Sequence, residues 1–185
     1  MTGPWAADFT YAYFARLIAA AAERLAPVSF VELAQRLESD GSASGLLLRH
    51  DVDLDLERAV RLARVEQEHG IASTYMVMTT CPLYRVEDAA SRRALRQLRK
   101  LGHDVGLHFD AEEEGEVGGP EDLERAIGRE CDRLAEALGE PVESLSFHRP
   151  QPAFLRGQLR LAGRVNASAA QLMQWDLPDS KGSWR

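Results

Sequence analysis

Leu46-Leu47-Leu48-Arg49-His50-Asp51-Val52-Asp53 passes from leucines to charged groups with no turn residue between them. A short apolar run that ends in polar side chains suits a strand buried on both faces, the kind found in parallel sheets. The strand is expected over 46–51. Downstream, Leu56, Ala59, Val60 and Ala63 recur at helical spacing, and His69-Gly70 closes that helix. The rhythm then repeats. Residues 72–78 read as a strand, and Leu95, Leu98 and Leu101 mark a helix stopped by Gly102. Residues 104–108 read as a third strand, followed by a helix with Leu123, Ile127, Cys131, Leu134 and Leu138 on one face. A fourth strand covers 142–147, and a weaker fifth lies near 161–166. Strand and helix in alternation predict a parallel α/β sheet or barrel with about five parallel strands.

Upstream of this stretch the pattern is helical. Residues 8–25 place Phe14, Leu17, Ile18 and Leu25 on one face, Pro27 ends the segment, and Ser29 can cap a second helix through Leu37. Residues 39–45 are a turn-forming linker. The chain of 185 residues is read as a single domain, with helices and linker over 1–44 and a β/α core over 45–185. A complete eight-fold barrel needs about 250 residues, so an incomplete one is expected. Apolar residues at 45% and charged residues at 28% exclude a disordered chain. A net charge of −7 without a basic cluster excludes phosphate-backbone binding, and nucleic acid is set aside as a partner. Cys81 and Cys131 have no CxxC spacing and read as reduced, buried thiols. The longest uncharged apolar stretch, 17–22, is too short to span a bilayer, and no signal-peptide pattern opens the sequence. A cytoplasmic protein is expected.

The chemistry gathers at the C-terminal ends of the strands, where parallel β/α folds build their sites. His50, His108 and His148 fall there, with Asp51, Asp53, Asp110 and Arg149. In an extended segment a period of two points Asp51 and Asp53 the same way. One carboxylate on a divalent metal and one free as general base is a sensible division of labour. Capping the next helix is the competing role for Asp53 and Asp55, and for Asp55 the preferred one. His108 and Asp110 repeat the spacing on another strand and can converge on one cation. Arg149 can hold Asp51 ionised through a bidentate pair, the alternative being a surface arginine. Glu112-Glu113-Glu114 reads as a solvated loop.

Arg49-His50-Asp51-Val52-Asp53, Gly102-His103-Asp104-Val105-Gly106-Leu107-His108 and Ser146-Phe147-His148-Arg149-Pro150 together resemble the polysaccharide deacetylase (NodB-homology) family, and more closely its WbmS-like branch. The resemblance runs from about Leu46 onward and implies a deformed β/α barrel. It also implies a divalent metal, usually zinc, that activates water against the N-acetyl group of an amino sugar or polysaccharide precursor. By motif position Asp51 resembles the base, Asp53 and His108 the metal ligands, and Arg149 the arginine that orients the base. His148 is extra to the common pattern and is taken with the catalytic residues. Where that pattern has a second histidine this sequence has Glu112, so Asp110 or Glu112 must replace it, and Asp110 is preferred because it points with His108. Residues 179–184 look like the segment that supplies an aromatic wall to the substrate groove, with Asp179 and Trp184 as substrate contacts. The family's last motif, a Leu-x-x-His-Pro-like strand, has no counterpart, which leaves the expected barrel short by about 50 residues. Two further functions stay open: a carbohydrate-binding or assembly protein that kept the cleft without turnover, and a hydrolase of a non-sugar cyclic amide.

Overall fold

The computed structural model describes residues 10–41, 44–113, 119–149 and 157–172. Asp179 and Trp184 lie outside them. The described elements are, in chain order, α1 (Tyr11–Ala22), α2 (Phe30–Asp40), β1 (Arg49–Val52), α3 (Leu56–Glu68), β2 (Thr74–Val77), α4 (Ala89–Lys100), β3 (Asp104–Asp110), α5 (Pro120–Leu138), β4 (Ser144–His148), β5 (Arg160–Leu161) and β6 (Arg164–Asn166). The strands form one sheet in the order β1-β2-β3-β4-β6-β5, parallel throughout except for β5 against β6. This is the mostly parallel sheet of a deformed β/α barrel.

Register assigns the two faces. Val52, Tyr75, Val77, Leu107, Phe109, Leu145 and Phe147 face α3, α4 and α5 and form the main core with Leu56, Leu95, Leu98, Ile127 and Leu134. The other face carries Asp51 beside Met76, Met76 beside Gly106, and His108 beside Ser146. There α2 lays Phe30 and Ala34 on Met76, Val165 and Ala167. Ser29 starts that helix with a reciprocal capping box to Glu32, and Gly41 ends it in the left-handed region. Gly106 keeps this face tight, since a Cβ there would lie 2.5 Å from Met76 Sδ and 2.6 Å from Ser144 Oγ.

Three sequence expectations shift. The first strand lies over Arg49–Val52 rather than 46–51, and its residues are only partly covered apart from Val52. β1 ends the sheet order; of the leucines before it, Leu46 bridges to Pro27, Leu47 packs with the Phe30 and Ala34 cluster, and the Leu48 carbonyl accepts from the Thr74 N–H of β2. The expected fifth strand is a hairpin: β6 adds to β4, while β5 returns through Ala162 and Gly163, both at positive φ. α1 stops at Ala22, short of the expected Leu25; Ile18 is buried, while Leu17 on the helix and Leu25 beyond it face solvent. Among the described residues no helix is long and apolar enough to cross a membrane.

Candidate metal centre

Strand alternation and register place the site. β3 runs on to Asp110, so His108 and Asp110 share a face two residues apart, and in β4 Ser146 and His148 stand directly opposite them. Asp53 follows the last residue of β1 and turns toward the same edge. Its Oδ1 lies 3.4 Å from His108 Nε2 and 3.6 Å from His148 Nδ1, and the two imidazoles approach to 3.2 Å. Asp53, His108 and His148 are a set whose ligand atoms all lie within 4.8 Å of one another.

The donor set fits a divalent cation. His108 is 3% exposed, and burial pushes its pKa below the ordinary histidine value, outweighing the pull of Asp51 and Asp53. Its Nδ1 pairs with Ser146 Oγ at 2.7 Å. With the proton on that nitrogen, Nε2 presents a lone pair to Asp53 and His148. The two imidazoles can share one proton between them, yet Asp53 Oδ1 remains a buried acceptor with no donor. A buried carboxylate oxygen without a donor is costly, and a borderline cation taking oxygen and two nitrogens would relieve it.

The remaining expected residues separate. Asp51 faces the same edge, with Oδ2 at 3.8 Å from His108 Nε2. Its bidentate partner is Arg49, at 2.8 Å through both Nε and Nη2, and not Arg149. The reason is local: Arg49 sits two residues back on the same strand and face. Arg149 instead reaches Asp110 and Glu112, both at 2.8 Å, from a backbone at φ 47°. Asp110 is therefore committed to Arg149 and to the Glu112 backbone N–H, and neither it nor the exposed Glu112 belongs to the Asp53–His108–His148 cluster. His148 occupies the place expected for Asp110. The signal was available in the sequence, because Ser146 and His148 alternate toward the face that His108 occupies.

His50 also departs from expectation, since alternation turns it to the helix side. There it meets Glu66 Oε1 at 2.6 Å and stacks near Tyr75. Asp55 caps α3 by accepting from the Glu57 and Arg58 backbone N–H groups. A cleft of about 450 Å³ runs along β1, lined among others by Tyr11, Arg49, Asp51, Asp53, Leu54 and Arg58.

No family model and no curated protein matches the sequence. Solved structures do. The deacetylase PplD of Streptococcus pyogenes, in complex with acetate, superposes with a TM-score of 0.57 at 13% identity, over 93% of this chain and 73% of that one. IcaB from Ammonifex degensii matches with a TM-score of 0.56 at 20% identity, over 77% of this chain and 69% of that one. The CE4 family pseudoenzyme BA3943 from Bacillus anthracis is more distant, with a TM-score of 0.43 at 10% identity, over 69% of this chain and 39% of that one. What the chain shares with PplD and IcaB at these identities is the fold, the polysaccharide-deacetylase form of the deformed β/α barrel.

Proposed function

We propose that this chain is a metal-dependent hydrolase that removes the N-acetyl group from an amino sugar or polysaccharide precursor. The observation that carries the reading is the donorless Asp53 Oδ1 facing two histidine nitrogens at the strand ends of a deacetylase-type sheet.

Asp53, His108 and His148 would hold the cation, with zinc suited to one oxygen and two imidazole nitrogens. When bound, such an ion supplies Lewis-acid polarisation of the acetyl carbonyl and raises the acidity of the attacking water. Asp51 takes the proton from that water as general base, and Arg49 fixes its carboxylate plane with a two-point grip. The water oxygen bonds to the acetyl carbon, the carbon–nitrogen bond breaks, and the proton passes to the departing amine, giving acetate and a free amino sugar. Ser146 keeps His108 oriented from behind. Arg149, next to His148, pairs with Asp110.

Metal analysis of the purified protein beside Asp53→Ala and His108→Ala, with acetate release from an N-acetylglucosamine oligomer, tests this. The expected result is about one metal per chain with acetate release in the starting protein, and neither in the variants. Equal metal content in all three proteins would overturn the metal assignment. Full metal without acetate release would overturn the reaction.

A further inference from the structure

The loop between β2 and α4 holds the backbone on both sides of Asp53. The Tyr84 hydroxyl donates to the Val52 carbonyl at 2.6 Å and accepts from the Met78 N–H at 3.1 Å. Val52 and Val77 are the last registered pair of β1 and β2, so the phenol oxygen stands between the strands where their own ladder stops. Cys81 lies behind it, 7% exposed, with its thiol donating to the Asp53 carbonyl at 3.3 Å and accepting from the Leu83 N–H at 3.4 Å. The Val52 and Asp53 carbonyls belong to the two peptide planes that flank the Asp53 Cα. Fixing both planes holds φ and ψ of Asp53, and with them the direction in which its Cα–Cβ bond leaves the backbone toward the histidines. Burial above all, with Cys81 and Asp53 adding to it, pushes the Tyr84 pKa well above the ordinary tyrosine value, so the phenol stays a donor.

We propose that Tyr84, backed by Cys81, is a positioning residue that aims Asp53 Oδ1 at His108 and His148. The role rests on the metal reading above, because an aimed carboxylate matters only if those groups share a ligand. A structural contact of no further consequence would instead stabilise the sheet edge and leave ligand affinity alone.

The test uses the full chain, cobalt(II) as the probe, and two variants that each lose one hydrogen-bonded phenol hydroxyl. Tyr84→Phe removes the brace. Tyr75→Phe removes a hydroxyl bonded to Glu66 on the opposite face of the sheet and leaves Asp53 untouched. Tyr84→Phe is expected to weaken cobalt binding by about 10- to 100-fold, with Tyr75→Phe unchanged in affinity. Amide hydrogen exchange of the metal-free proteins supplies the second reading, with exchange over 53–55 faster in Tyr84→Phe alone. Unaltered exchange there overturns the brace whatever the metal result. Faster exchange with unchanged cobalt affinity overturns the positioning role. If the starting protein binds no cobalt, the metal reading and the positioning role built on it both fall, while exchange still decides whether the loop holds Asp53.

Discussion

The two faces of the sheet each carry a group of histidines and carboxylates, and they differ in whether their polar atoms are paired within the protein. On the helix side, Glu66 is fully buried, yet each of its oxygens has partners. His50 Nε2 meets Oε1 at 2.6 Å, and the Ser73 and Tyr75 hydroxyls both donate to Oε2 at 2.7 Å. His103 is equally buried, bonded through Nε2 to the Ala63 carbonyl at 2.9 Å and through Nδ1 to the Ser73 N–H at 3.2 Å. Burial works against the Glu66 charge, but the bond from His50, with those from Ser73 and Tyr75, outweighs it and holds the pKa below the usual carboxylate value. On the inner face, Asp53, His108 and His148 point their ligand atoms at one another and leave Asp53 Oδ1 without a donor. A closed network holds a fold together, while an open one of the same residue types is a place for something else to bind.

The largest expected effect breaks the closed network. Glu66→Ala strands His50 and two buried hydroxyls and should cost about 3–5 kcal/mol in urea unfolding, where Asp53→Ala costs far less. A Glu66→Ala protein as stable as the starting one would erase the contrast between the faces. Next comes the open cluster. His108→Ala should lower acetate release by at least about 100-fold while the melting temperature moves by only a few degrees, because a ligand is lost from a site that is not knitting the core.

The two arginines sharpen the comparison further. Arg49→Ala should reduce kcat by roughly 10-fold or more by freeing Asp51, with Arg49→Lys recovering part of the loss. Arg149→Ala should have the milder effect, since its partners are Asp110 and Glu112. Steady-state kinetics on the three variants decides, and the reverse order would return the base-orienting role to Arg149. The smallest effect is the pH dependence of stability. Burial depresses the His103 pKa below its ordinary 6.5, so the unfolded chain binds a proton that the folded one resists. Stability should therefore fall as the pH drops through about 6.5, no more steeply than about 1.4 kcal/mol per pH unit for one proton. The Glu66 contribution has the depressed-carboxylate sign, present above about 4.5 and lost only as the pH falls through its lower folded value. His108 is depressed by burial in the same way, so urea midpoints between pH 7.5 and 5 should change less steeply, but not become flat, in His103→Gln.

The sequence by itself determined the order of the elements and the edge on which the chemistry collects. Apolar runs, helical spacing and Gly-terminated helices are local signals, and Asp53, His108 and His148 stand at strand ends because each follows such a run. It also marked Asp55 as a helix cap and Ser29 as a helix start. Which polar residues meet was decided only in the tertiary structure. Alternation turned His50 away from Asp51 and onto Glu66, a helical residue sixteen positions downstream that nothing near His50 announces. The Arg49–Asp51 pair is the exception, a local one along a single strand, whereas Arg149 met Asp110, and His148 met His108 and Asp53, only through the pairing of β3 with β4. Tyr84 reached the Val52 carbonyl, and Cys81 the Asp53 carbonyl, from a loop whose course depends on β2 pairing with β1. Spacing along one strand fixes the direction of a side chain, but its partner is fixed by register with neighbouring strands and by the helix packed over them, and those are set by long-range contacts.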